Sequence, residues 1–234
     1  MRERGTDDAW GDTRSGQLHT VARNVSSRYL AIFADIAIGL LLLPFNLAHL
    51  GKEQYGLWVL LGSLTLHFST LELGFGSGLV KFVARYRALR DLRALNEVAS
   101  TVFWVFTGIA VVAYGGVALV AFNLEHIFAI TPEQAAVGKW ILLIIGVYIG
   151  MHFPFGVYGG VISGFQRFDV NNTMAVIVSV TAAVVNVAVL RAGYDLVTLV
   201  AATTFVRVCG YFVYRRNAFR VFPGLRIRLS LFRT

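Results

Sequence analysis

Charge is what this chain has least of. Only 15% of its 234 residues are Asp, Glu, Lys or Arg, while 56% are hydrophobic; soluble domains carry roughly 25% and about 45–50%. With a mean hydropathy of +0.66, the apolar surface exceeds what one small core can hide, so lipid is the solvent for much of it and a water-soluble globule is excluded. Cysteine is nearly absent as well. Cys209 alone cannot close an internal disulfide, and its neighbours Val208 and Gly210 mark it as a packing residue. Residues 1–28 lack the apolar stretch of a cleaved secretory signal and read as a mobile polar tail.

Motifs of soluble catalysis are missing too. The run Gly74-Phe75-Gly76-Ser77-Gly78 is not a G-x-G-x-x-G fingerprint, has no Walker lysine, and lies in an apolar stretch, so it reads as helix packing. There is no G-x-S-x-G elbow and no acidic loop cluster suited to Mg²⁺. His67 and His152 have no second ligand at metal spacing and read as packed imidazoles. Glu125 and His126 are the only adjacent acid and histidine in a loop and read as exposed loop residues. Neither an enzyme nor a metal site is expected.

What is present is six apolar stretches long enough to cross a bilayer as helices: Tyr29 to Leu50, Tyr55 to Ala84, Val98 to Leu124, Trp140 to Gly164, Thr173 to Leu190 and Leu196 to Tyr214. Residues 29–214 thus form an all-α, six-helix transmembrane unit between the tail 1–28 and a basic tail 215–234. Arginines and lysines gather on one side, in the N-terminal tail, between spans two and three (Lys81, Arg85, Arg87, Arg90, Arg93), at Arg167 and in the C-terminal tail. The other side holds only Lys52, Lys139 and Arg191. That asymmetry places both termini in the cytoplasm. It also accounts for the net charge of +8 without a nucleic-acid partner.

Few ionisable groups lie within the spans, and each is a functional candidate. Asp35 in the first and Arg207 in the sixth sit at similar depth with opposite sign. They are read as an ion pair, as a substrate or ion site, or as a snorkelling arginine beside a solvated aspartate. On span two, Gly62, Thr65, Ser69, Glu72 and Gly76 recur every three or four residues and share one face. The acid among them favours a wet cavity over a dry seam. On span five, Asn172, Ala175, Ser179, Ala182, Asn186 and Gly193 read as a close-packing seam in which Asn186 hydrogen-bonds across. Span four carries Gly146, Gly150, Pro154, Gly156, Gly160 and Gly164, where a kink at Pro154 is expected.

Three segments together resemble the oligosaccharide flippases, the polysaccharide-export branch of the multidrug/oligosaccharidyl-lipid/polysaccharide exporter superfamily. They are LGKEQYGLW (Leu50 to Trp58), LELGFGSGLVKFVARY (Leu71 to Tyr86) and YGGVISGFQRFDVNN (Tyr158 to Asn172), and the likeness extends from about Ser26 to the C-terminus. The resemblance implies a multi-pass protein of the bacterial inner membrane. Such a protein moves a polyprenyl-pyrophosphate-linked oligosaccharide outward for O-antigen, capsule or exopolysaccharide synthesis, by alternating access of two six-helix lobes. This chain would be the N-terminal lobe, either a fragment of a longer protein or a half-transporter that forms a homodimer. Under that reading Arg207, Lys81 and Arg85 are the candidates for the lipid-linked phosphate. Glu72, Asp35, Ser69 and Thr65 line the cavity, with H⁺ or Na⁺ coupling through an acid, and Pro154, Gly150 and Gly156 are the hinge. Membrane lipids and a polysaccharide polymerase or glycosyltransferases are the implied partners, with no cofactor. A multidrug exporter of the same superfamily, a membrane-embedded glycan enzyme and a non-transporting scaffold are the competing classes.

Overall fold

Only a residue without a Cβ takes a φ of 74° freely, and Gly51 takes it, with ψ 171°, to break the first long helix. The computed structural model describes the backbone of residues 14–69 and 75–232 and the side chains of residues 22–63 and 76–232. Within it, α1 (Arg14–Ser69) has one arm before Gly51 and one after; α2 (Phe75–Ala88) follows. Then come α3 (Leu92–Phe122), a single turn α4 (Leu124–Ile127), α5 (Pro132–Gly164), α6 (Phe168–Arg191), α7 (Leu196–Val221) and a 3₁₀ turn at Leu229–Leu231. No strand occurs among the described residues.

Sequence-local chemistry sets the helix starts. Asp91 accepts a hydrogen bond from the Ala94 N–H at 2.9 Å to cap α3, and Asp195 does the same for Thr198 at the start of α7. Thr131 and Gln134 form a reciprocal capping box with Pro132 in the first turn of α5. At the end of α6, Gly193 adopts φ 79° and Tyr194 N–H donates to the Val189 carbonyl, closing the helix with a left-handed cap.

Five of the described helical stretches are long and apolar enough to cross a membrane: Ala22–Ser63 within α1, and α3, α5, α6 and α7. Large apolar side chains such as Leu40, Leu41, Val112 and Phe205 are about 70% exposed on the bundle surface, the inverse of a soluble domain. The chain is an all-helical, multi-pass membrane protein. Of the expected second span, the described parts are the second arm of α1 and α2, with residues 70–74 lying outside the described residues.

The tightest packing is on α5. A Cβ at Gly160 would meet Leu79 at 2.7 Å, one at Gly164 would overlap Val83, and one at Gly146 would press on Tyr114 and Val117 at 3.0–3.1 Å. Gly146, Gly160 and Gly164 of span four thus serve close approach to α2 and α3. The helix runs unbroken through Pro154, which is buried.

Both ends of the bundle are defined by contacts. At one end Asn24 of α1 donates to the Gln166 carbonyl and accepts from the Asp169 N–H, both at 3.0 Å, while Arg23 pairs with Asp169 at 3.3 Å. Arg87 lies over the Phe165 ring, which stacks on Phe222. The start of α1, the end of α2, the α5–α6 turn and the end of α7 therefore meet, and the basic side chains cluster there. At the other end Glu53, Glu133 and Asp195 share a depression of about 300 Å³.

Two tail expectations change. Helix α1 already begins at Arg14, and Asn24 and Ser27 tie it to α6, so the helix reaches into the segment read as a polar tail. Helix α7 continues past Tyr214 to Val221, and the segment after it folds back on α3 with Phe222 and Leu225 buried. Both extensions follow from partners distant in sequence, which hydropathy does not register.

Candidate functional site

Where the helices do not close on each other, a cavity of about 440 Å³ opens in the membrane-spanning part. The first arm of α1 contributes Asp35, Ile38, Gly39 and Leu42, and the second arm contributes Trp58 and Gly62. Opposite them stand Tyr148 of α5, Ser179 and Asn186 of α6, and Thr203, Thr204 and Arg207 of α7. Its remaining lining, which includes Ile145 and Val200, is small or apolar.

The helical repeat explains this convergence. Ser179, Ala182, Ala183 and Asn186 lie on one face of α6, and Thr203, Thr204 and Arg207 on one face of α7. Thr203 donates to the Leu199 carbonyl of its own helix at 2.8 Å, so its hydroxyl is anchored. Asn186 is only 3% exposed, and its Oδ1 has no hydrogen-bond partner. A buried unmatched amide oxygen is costly, on the order of 1–3 kcal/mol, and is the kind of acceptor a ligand N–H or O–H satisfies.

Arg207 is held beside aromatic rings. Its guanidinium carbon sits 5.8 Å from the Tyr148 ring centroid, and Tyr148 stacks on Tyr211 at 5.7 Å. Tyr211 in turn shares a 3.0 Å hydrogen bond with His152 Nδ1. Tyr148, His152, Tyr211 and Arg207 thus form one connected cluster, of which Tyr148 and Arg207 line the cavity. Sequence reasoning singled out only His152 and Arg207 from it. The signal for the other two was the four-residue spacing of Tyr148 to His152 and of Arg207 to Tyr211, which puts each pair on one helix face.

The structure sorts the candidates of the sequence reading. Asp35 and Arg207 line the same cavity from opposite sides, but no ion pair between them is present among the described contacts, and both are exposed to the opening. Lys81 and Arg85 are exposed on α2 and do not line the cavity. Of the stripe on span two, Gly62 lines the cavity, while the side chains of Thr65 and Ser69, and all of Glu72, lie outside the described residues, as does the side chain of His67. Of the hinge candidates, Gly150 faces the Ala110 carbonyl of α3 at 3.9 Å from its would-be Cβ, Gly156 has open space, and Pro154 is buried.

The seam expected on α6 is corrected at three points. Asn186 makes no hydrogen bond across it among the described residues, Gly193 is the turn beyond the helix rather than part of the face, and the residue that does bond across, to Ser27 Oγ of α1 at 3.0 Å, is Asn172 in place of Asn186. Cys209, expected to pack, is exposed on α7. Glu125 and His126 are exposed, as expected, although they lie in the single turn α4 rather than in a loop.

Chemically the cavity offers a cation for an anionic group, a carboxylate, an unmatched amide acceptor, and the aromatic faces of Trp58 and Tyr148. No protein-family model, curated protein or solved structure matches this chain.

Proposed function

We propose that this chain is one six-helix lobe of a membrane flippase that carries an amphipathic, phosphate-linked glycan across the bacterial inner membrane. The observation that carries this reading is the polar cavity itself: Arg207 and Asp35 exposed to one opening, with the buried, unmatched Asn186 on the same lining, inside an otherwise apolar bundle. Ionisable groups at membrane depth are expensive and mark pathways. Forked guanidinium groups suit phosphate oxygens, and the Trp58 and Tyr148 faces suit sugar rings.

In this reading the second arm of α1 and α2 together make a sixth pass. The basic end faces the cytoplasm, and a second lobe, in the same polypeptide or in a second copy, closes the cavity from the open side. Arg207 holds the pyrophosphate, Lys81 and Arg85 attract it at the basic mouth, and Asp35 or Glu72 carries a coupling proton or Na⁺.

The test is transport of a fluorescent polyprenyl-pyrophosphate oligosaccharide in proteoliposomes containing the chain together with whatever second lobe completes it. Arg207→Gln is expected to cut the flipping rate by about tenfold or more, the scale of one lost charge-assisted contact, with insertion unchanged. Flipping at the wild-type rate would remove Arg207, and with it this reading of the cavity. Glu72→Gln is measured alongside, and unchanged transport takes Glu72 out of the coupling role.

A further inference from the structure

At the basic end, away from the membrane cavity, the segment after α7 is laid along the first turns of α3. Asn96 is 8% exposed and Ser100 is fully buried, and together they clamp that segment. Asn96 Nδ2 donates to the Gly224 carbonyl at 3.0 Å while its Oδ1 accepts from the Arg226 N–H at 2.7 Å. Ser100 Oγ donates to the Arg226 carbonyl and accepts from the Arg228 N–H, both at 3.2 Å. The segment is extended at Arg228, with φ −140° and ψ 145°, so alternate side chains point in opposite directions. Leu225 and Ile227 pack inward on the core, and Arg226 and Arg228 point outward together.

Arg93 of α3 joins them around a pocket of about 380 Å³, with Asn96 and Ser230 on its lining. Arg93 is paired with Glu97 at 3.0 Å, which leaves Arg226 and Arg228 as the guanidinium groups with no ion pair among the described residues. Beside these cations stand apolar side chains facing outward: Leu92 at 45%, Leu229 at 65% and Phe232 at 39% exposure. Cations set next to outward-facing apolar groups at the end of a membrane-crossing bundle match the boundary between headgroups and acyl chains.

We propose that this pocket binds the phosphate of an anionic phospholipid headgroup, with Arg226 and Arg228 as its ligands and Leu229 and Phe232 seated in the adjoining acyl region. The clamp by Asn96 and Ser100 presents both guanidinium groups on one face, which a free tail would not. The proposal rests on the membrane character of the chain and not on the transport reading.

Native mass spectrometry of the full chain, released from detergent with added phosphatidylglycerol or phosphatidylcholine, tests it. Wild type is expected to retain phosphatidylglycerol in preference to phosphatidylcholine. Arg226→Gln/Arg228→Gln is expected to weaken that retention roughly thirtyfold, at about 1 kcal/mol for each basic residue near the surface. The charge-matched control Arg216→Gln/Arg220→Gln, in exposed positions on α7, stays within about twofold of wild type. Equal loss in both doubles shows diffuse attraction to the basic end and overturns the site, as does no loss in either. Millimolar inorganic phosphate that displaces the lipid from wild type, but leaves the residual binding of Arg226→Gln/Arg228→Gln unchanged, places the phosphate contact at these two arginines. Wild type that retains inorganic phosphate added alone, yet shows no preference for phosphatidylglycerol over phosphatidylcholine when no phosphate is present, marks a soluble-anion site and overturns the headgroup assignment.

Discussion

Helix α5 has two faces that solve opposite problems. Toward α2 and α3 it presents Gly146, Gly160 and Gly164, and the neighbouring side chains come so close that no Cβ fits without a shift. Toward α1 and α7 it presents Ile145 and Tyr148 to an open cavity. In lipid, where apolar burial gives little preference for one helix neighbour over another, close backbone approach is what holds helices together. The face toward the cavity leaves open the space that the glycine face closes.

Substitutions at a glycine of the α5 seam and at a glycine of α1 on the cavity lining break this comparison where it is sharpest. Gly164→Ala forces a Cβ against Val83 and is expected to destabilise the protein by about 1–3 kcal/mol, read as a lowered thermal midpoint in detergent. Gly39→Ala, where nothing lies within 4 Å, is expected to be neutral or to stabilise by roughly 0.5–1 kcal/mol through helix propensity. Equal effects at the two glycines would show that the seam is no tighter than the cavity side.

Two buried asparagines sharpen the contrast at the next level. Asn96 has both ends of its amide matched, by Gly224 and Arg226, whereas Asn186 leaves its Oδ1 without a partner. Asn96→Leu strands two backbone groups and is expected to cost on the order of 1–3 kcal/mol. Asn186→Leu removes an unmatched polar group and is expected to leave stability unchanged or slightly raised, while any ligand recognition by the cavity falls. A large stability loss at Asn186 would make it a structural residue after all.

The smallest effect is expected at the acidic end. Hydrogen bonds from the Thr198 hydroxyl and N–H hold the Asp195 carboxyl below the usual aspartate range. A carboxyl lowered on folding stabilises above its unfolded pKa of about 3.9 and loses that contribution as pH falls through the folded value. Asp195→Ala should therefore cost about 1 kcal/mol near pH 7, and the difference from wild type should fade below about pH 4. A difference independent of pH would assign the loss to something other than the charged cap.

Membrane character and the course of α3, α5, α6 and most of α7 were legible because apolar length alone decides them. Asp35 and Arg207 were legible as candidates because charge is rare in such stretches, and both line one cavity. Their lack of an ion pair was not, since depth along a helix says nothing of the direction in which it faces. The clamp of residues 224–228 on α3 was hidden for a similar reason: Asn96 and Ser100 look like ordinary polar residues at a helix start until a segment more than a hundred residues later is laid on them. The kink expected at Pro154 drew attention to the glycines flanking it, and only the positions of Leu79 and Val83 show that Gly160 and Gly164 are a contact surface.

The lone exposed thiol of α7 has a practical consequence. Cys209 is the chain's one cysteine and, two positions from Arg207 on a helix, is turned roughly 200° around α7 from it, so the native sequence accepts a single spin label or fluorophore on the face of α7 turned away from the cavity, with no prior cysteine removal. Label mobility and collisional quenching at that position then read, without any substitution, whether lipid or another protein surface lies against this side of the bundle.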